Sequence, residues 1–315
     1  MTDPTAAALT GVVPVLPTPF TEDEEVDRRS FAALADHVMG LGVPAVMFPG
    51  FASEYYKLDD AERLLLSRDL VTAARAHPGV TVIASVTAHA TSVAVRQARA
   101  YLDLGAGALN VLPPHFPAPS ADHVREHLHT LLAAVAPAPV LLQYAPEDAA
   151  TRLTPAVIGE LAAEHPNLVA VKVEARPPGQ FIADLRAAEP AVACLAGSGG
   201  LFLLEALRAG ACGVQPGSSF VELYLAVWRA WSGGDERAAA RRFAGLLPHL
   251  VGWATTQEPM VAVEKVIAWR RGLIATPVCR RPHRALSPVA AASVERFLAE
   301  FADELSLPHP VRSAR

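Results

Sequence analysis

Leu168-Val169-Ala170-Val171-Lys172-Val173-Glu174 is a strand-like run, apolar at both alternating positions, that ends on a lysine and a glutamate two residues apart. A strand apolar on both faces is covered on both sides, as in parallel sheets whose crossover helices close each face. The lysine stands out because the chain has only three, Lys57, Lys172 and Lys265, among 27 basic residues. Arginine is therefore the default surface cation. Burying an ammonium costs several kcal/mol unless the group is paired or gives up its proton. A neutral amine is a nucleophile that condenses with ketones to a Schiff base. The competing reading is a strand-end lysine that reaches solvent or pairs with Glu174, which shares its face by strand alternation.

Working outward, short apolar strands alternate with amphipathic helices from Gly11 onward. Strands are expected at Gly11-Leu16, Ala45-Phe48, Val80-Val86, Ala108-Leu112, Pro139-Gln143, Leu168-Val173, Ala191-Ala196 and Gly213-Gln215. Helices are expected near 28–41, 59–76, 91–104, 120–135, 155–164, 179–188, 199–209 and 219–231. Eight strand-helix units predict an α/β fold, a (β/α)8 TIM barrel over residues 1–232. Helical segments near 235–251, 257–271 and 287–305 predict a C-terminal helical extension over 233–305, followed by a flexible tail at 306–315. An open doubly wound sheet is the runner-up. Against it, no strand is followed by a G-x-G-x-x-G fingerprint. Ser120 and the Thr154-Pro155 pair read as helix starts, and Gly105, Gly210 and Gly233 as helix stops.

With 315 residues, 51% hydrophobic and 19% charged, the chain has ample material for one large core. A net charge of −5 with dispersed arginines gives no basic stripe for nucleic acid and no polybasic arm for a membrane. Met1 to Thr5 lacks a basic signal start, and no apolar run reaches the roughly 18 residues that span a bilayer, so a cytoplasmic protein is expected. Cys194, Cys212 and Cys279 form no Cys-x-x-Cys pair, which argues against a disulfide framework or zinc site. Cys194 and Cys212 read as small core residues.

Barrel chemistry sits at the C-terminal strand ends. Those ends supply Thr18, Ala52, Ser53 and Glu54, then His115, Gln143 and Tyr144, then Lys172 and Glu174, and finally Gly197, Ser198 and Gln215. The small residues and hydroxyls of the last two loops suit an anionic oxygen, or are ordinary turn chemistry. His89 and His115 read as loop histidines, because no spacing resembles a metal site.

Together these residues resemble the dihydrodipicolinate synthase / N-acetylneuraminate lyase family of Schiff-base barrel enzymes. The likeness rests on Gly11-Val-Val-Pro-Val-Leu-Pro-Thr-Pro-Phe20, Gly50-x-x-x-Glu54, Val169-Ala-Val-Lys172 and the glycine-rich seventh loop. It implies that Lys172 forms a Schiff base with a 2-keto acid, without metal or organic cofactor, in a homo-oligomer, tetramer or dimer. Departures from the family pattern are informative. Phe51 and Ala52 replace two threonines, Gln143 a tyrosine, His115 and Phe116 a tyrosine pair, and Asp148 an arginine.

Glutamine has no ionisable proton to relay, so a retro-aldol loses the base it needs. Dehydration asks less of that position. The sequence is most similar to the L-2-keto-3-deoxyarabonate dehydratase branch, through Ser53-Glu54 with Asp60-x-Glu62-Arg63, Gln143-x-Ala145-Pro146, Lys172-x-Glu174, the C-terminal Gln257 to Lys265 segment, and the Arg281-Pro282-His283 motif. On that reading Lys172 is the Schiff-base lysine, Glu54 or Glu174 the base, and Gln143 orients the leaving hydroxyl or its water. Thr18, Ala52, Ser53, Gly197, Ser198 and Gln215 line the substrate, with Ser53 and nearby N–H groups holding its carboxylate. The alternatives are an aldolase of the same family, releasing or condensing pyruvate, and a non-catalytic keto-acid-binding homologue.

Overall fold

The computed structural model describes residues 9–149, 152–254 and 257–306. Eight strands alternate with helices in chain order. They are β1 (Gly11–Val12), β2 (Ala45–Phe48), β3 (Thr81–Val86), β4 (Ala108–Val111), β5 (Val140–Tyr144), β6 (Leu168–Val173), β7 (Ala193–Ala196) and β8 (Gly213–Val214). The helices between and after them are α1 (Arg28–Gly40), α2 (Asp60–Ala74), α3 (Thr91–Leu104), α4 (Ala121–Val135), α5 (Pro155–Glu164), α6 (Gly179–Ala188), α7 (Leu203–Arg208) and α8 (Val221–Ser232). Three more follow the barrel, α9 (Glu236–Trp253), α10 (Gln257–Arg270) and α11 (Pro288–Glu300).

All strand pairs are parallel, in the order β1-β8-β7-β6-β5-β4-β3-β2. The seam between β1 and β2 closes through a parallel bridge from Val15 to Met47. There the Leu16 N–H donates to the Met47 carbonyl at 3.0 Å, and the Met47 N–H to that of Pro14 at 2.9 Å. The expected strand over 11–16 is regular only at Gly11–Val12. Pro14 and Pro17 carry no N–H, so the ladder continues as single bonds, Val13 to Val214 and Val15 to Pro216, each 2.9 Å. The expected 199–209 helix is also shorter. A 3₁₀ turn at Ser198–Gly200 precedes α7, because Gly199 is left-handed at φ 61°.

Two apolar layers follow from strand alternation. Inside the barrel lie Val13, Val15, Met47, Ile83, Leu141 and Leu195. Outside, Val171 and Val173 join the larger core between sheet and helices. Ala170 belongs to the inner layer, so Lys172 and Glu174, at the same parity, rise from the barrel floor toward its C-terminal mouth. Cys194 is buried as expected, whereas Cys212 is only half-buried, at the barrel's N-terminal edge.

The helix starts read from sequence are capped. Ser120 Oγ accepts the His123 N–H, and Thr154 Oγ1 that of Val157, each at 3.3 Å. After α10 the chain returns over the β1 and β2 loops. Thr276 Oγ1 donates to the Phe20 carbonyl at 2.5 Å, and Arg280 forks onto Glu62 while its guanidinium lies 4.4 Å from the Phe20 ring. Glu62 also closes a reciprocal cap with Asp59, so the Asp60-x-Glu62 signature anchors this strap. Among the described residues no helix is long and apolar enough to cross a membrane. Residues 307–315 of the expected tail lie outside the described residues.

Candidate active site

Lys172 is 5% exposed, and its Nζ lies 3.3 Å from Glu174 Oε1. Three donors converge on the Glu174 carboxylate. Besides Lys172, the Ser198 N–H reaches Oε1 at 3.1 Å and the Gln143 amide reaches Oε2 at 2.6 Å. The strand register makes this possible, since Gln143 sits beside Lys172 across β5 and β6. Gln143 is held in turn. Its Oε1 accepts from Asn110 Nδ2 at 3.0 Å, and the same nitrogen lies 3.1 Å from Ser85 Oγ. A buried polar chain thus runs from β3 through β4 and β5 to the carboxylate just past the end of β6. Such a chain fixes the orientation of every amide in it.

Gly197 completes the support. A methyl there would lie 2.2 Å from Glu174 Cγ, so the absent side chain is what lets the carboxylate lean on the seventh loop. Lys172 and Glu174 open into one pocket whose other walls include Phe51, Ala52, Gln215, Met260 and Glu264. Gln215 Nε2 rests 3.5 Å from Met47 Sδ, while its Oε1 has no partner among the described residues. The N–H groups of Phe51 and Ala52 open a 3₁₀ turn (Phe51–Ser53), where a helical turn supplies no internal acceptor.

The remaining sequence candidates lie apart from this pocket's wall. Ser53 Oγ donates to the Leu16 carbonyl at 2.5 Å and accepts the Gly50 N–H at 2.8 Å, so its hydroxyl is consumed by the loop. Thr18 Oγ1 donates to the Ser53 carbonyl at 2.7 Å, pinning the first loop to the second. Glu54 is fully buried at left-handed φ 54° and is shared by the two other lysines. Lys57 Nζ is 2.9 Å from its Oε2, and Lys265 Nζ bonds its Oε1. Lys265 also meets the Val278 carbonyl at 2.9 Å and the Phe20 ring at 4.3 Å. Burial lowers the Lys265 pKa, and the Glu54 charge opposes that shift. Burial also pushes the neighbouring Cys279 thiol up to about 11.

Tyr144 points away from the site, as alternation predicted, and stacks on Phe181 at 4.3 Å. His115 packs edge-on to His89, and burial lowers its pKa. One cluster among the described residues, His129, Glu164 and His165, could offer three metal-ligating atoms within 4.8 Å of one another. It is largely exposed on α4 and the end of α5, and such groups are common without an ion.

Sequence reasoning missed Ser85, Asn110 and Glu264. A lone polar residue inside the apolar runs of β3 and β4 was the available signal for the first two. Glu264 gave none, because its helix lies far along the chain from the strands it faces.

The barrel is that of a known family. The dihydrodipicolinate synthetase family profile matches residues 8–300, and the chain belongs to that family. It thereby falls among Schiff-base-forming lyases and aldolases that act on keto acids. The chain is 34% identical to the 4-hydroxy-tetrahydrodipicolinate synthase of Sorangium cellulosum, but over 52% of its own length and 54% of that protein's, so it spans about half of that relative. Two fuller matches each cover 90% of the chain. One is the L-2-keto-3-deoxyarabonate dehydratase of Azospirillum brasilense, 26% identical over 92% of that protein. The other is a probable 2-dehydro-3-deoxy-D-pentonate aldolase of Escherichia coli, 24% identical over 93%. Among solved structures, dihydrodipicolinate synthase from Rhodopseudomonas palustris superposes with a TM-score of 0.85 at 26% identity, over 92% of this chain and 97% of that one.

Proposed function

We propose that this protein is a hydro-lyase that removes water from a 2-keto-3-deoxy sugar acid, such as L-2-keto-3-deoxyarabonate, through a Schiff base on Lys172. The observation that carries the reading is the Lys172-Glu174 pair, 3.3 Å apart, backed by an amide chain rather than a phenol. The Phe51 and Ala52 N–H groups hold the substrate carboxylate. The Lys172 amine adds to the C2 carbonyl, and loss of water with uptake of one proton from solvent gives an iminium that acidifies C3. Glu174 then takes a C3 proton, having its carboxylate fixed beside the lysine. The resulting enamine expels the C4 hydroxyl, and hydrolysis of the conjugated iminium frees Lys172. Gln143 positions Glu174 through its Nε2, and Glu54 is a structural anion for Lys57 and Lys265. Assembly as a homotetramer or dimer belongs to the same reading.

Aldol cleavage is the second reading, favoured by the similarity to the E. coli aldolase. Borohydride trapping separates the two. Protein incubated with pyruvate or with 2-keto-3-deoxy acids, then reduced, is examined by peptide mass spectrometry beside Lys172→Ala. An adduct on Lys172 lighter by one further water than the reduced Schiff base of the intact substrate supports dehydration, and a pyruvyl adduct from the longer acid supports cleavage. No adduct with any keto acid overturns both and leaves a binding homologue.

A further inference from the structure

The dehydration above needs a proton for the departing hydroxyl, and besides Glu174, which has just taken the C3 proton beside Lys172, the pocket holds a second carboxyl that can supply it. Glu264, on α10, lines the same pocket beside the eighth loop. It is 3% exposed. Both donors of Ser219 end on one of its oxygens, the N–H at 3.0 Å and Oγ–H at 2.5 Å from Oε2. Its other oxygen, Oε1, has no partner among the described residues. No ion pair to Glu264 is formed among those residues, although Glu174 has Lys172.

This asymmetry places a proton. When a carboxyl is neutral, the oxygen that accepts hydrogen bonds is the carbonyl oxygen and the other carries the hydrogen. With Oε2 occupied by Ser219, the hydrogen belongs on Oε1. Burial raises the Glu264 pKa, against the hydrogen bonds from Ser219, a backbone hydrogen bond from Ser218 and the charge of Arg271. Space for the group is built into the eighth loop, because a methyl on Gly217 would lie 2.3 Å from both Cδ and Oε1.

Resting on the dehydratase reading, we propose that Glu264 is the general acid that protonates the C4 hydroxyl as it leaves. The step balances. The C3–H bond breaks and its proton goes to Glu174, and the C3–H electron pair forms the enamine. The enamine then pushes into a C3=C4 double bond while the C4–O bond breaks. That oxygen takes the Oε1 proton and departs as water. Glu264 is left as a carboxylate and regains a proton from solvent, and Glu174 returns its own.

The test uses the full chain and three measurements on wild type, Glu264→Gln and Glu264→Ala. Deuterium exchange into pyruvate reports Schiff-base and enamine formation. Water loss is followed with a 2-keto-3-deoxy acid, and fluoride loss with its 4-deoxy-4-fluoro analogue, whose leaving group needs no proton. In Glu264→Gln, exchange and fluoride loss should stay within about threefold of wild type while water loss falls about 10²-fold or more. In Glu264→Ala, added formic acid should restore part of the water loss. Dehydration by Glu264→Gln within tenfold of wild type overturns this assignment alone. So does a parallel fall of all three activities in both variants that formic acid leaves unrestored. Wild type that exchanges pyruvate but dehydrates no 2-keto-3-deoxy acid overturns the dehydratase reading, and this assignment with it.

Discussion

Gly197→Ala tests the placement of Glu174 without touching a functional group. The native φ of −99° lies outside the left-handed region, so alanine meets no positive-φ penalty and the contacts of its methyl are the main cost. That methyl would lie 2.2 Å from Glu174 Cγ and 3.0 Å from its Cδ. Carbon contacts are optimal near 3.5–4.0 Å, so Glu174 must retreat by about 1 Å or more. Such a move breaks the 2.6 Å bond from Gln143 and widens the 3.3 Å approach to Lys172. Displacement of a catalytic group by about 1 Å costs on the order of 10²-fold in rate. Overpacking should destabilise the fold by about 1–3 kcal/mol. The assay pairs turnover of a 2-keto-3-deoxy acid with urea denaturation, and adds borohydride trapping to check that Lys172 still condenses. Glu174→Ala removes the clashing atoms, so Gly197→Ala in that background should be nearly neutral, leaving a coupling of about 1–3 kcal/mol in the cycle. Turnover within threefold of wild type, with unchanged stability, would refute the geometry.

Gln143→Leu removes the donor to Glu174 and strands Asn110, so turnover should drop about tenfold or more and stability by about 1–3 kcal/mol, read by kinetics and urea melts. Glu54→Gln leaves Lys57 and Lys265 without their shared anion. It should destabilise by about 3–5 kcal/mol, while folded protein at low temperature still traps pyruvate on Lys172. Although burial opposes it, His37 and Arg271 hold the Glu222 carboxyl down at about 2. Because that folded value lies below the usual 4.5, its contribution is complete above about pH 5 and is lost as pH falls toward 2. Glu222→Gln should therefore be less stable than wild type by about 2 kcal/mol at pH 7, with the gap narrowing steadily in urea melts at lower pH.

The barrel was legible because each strand is apolar on both faces and each helix is bounded by caps or glycine. Only the first strand misled, since prolines at 14 and 17 suit the path but not the ladder. Lys172 and Glu174 could be read as partners because strand alternation puts i and i+2 on one face. Gln143 was read correctly as a strand-end residue, but its hydrogen bonds to Asn110 and Glu174 depend on the register of three strands. Register is not written in any one of them. The surroundings of Glu54 were hidden for a different reason. Lys265 is 211 positions away, and only the return of the C-terminal strap brings it there.

All three lysines are spent inside the molecule, their side chains 9%, 6% and 0% exposed at Lys57, Lys172 and Lys265. The described surface consequently offers almost no primary amine. Acylating dyes, amine cross-linkers and carbodiimide coupling to a sensor chip should therefore find the lysines of the folded protein nearly unreactive. A reagent that does modify a lysine has entered the barrel mouth or unfolded the strap, so amine labelling becomes a direct readout of whether this fold is intact.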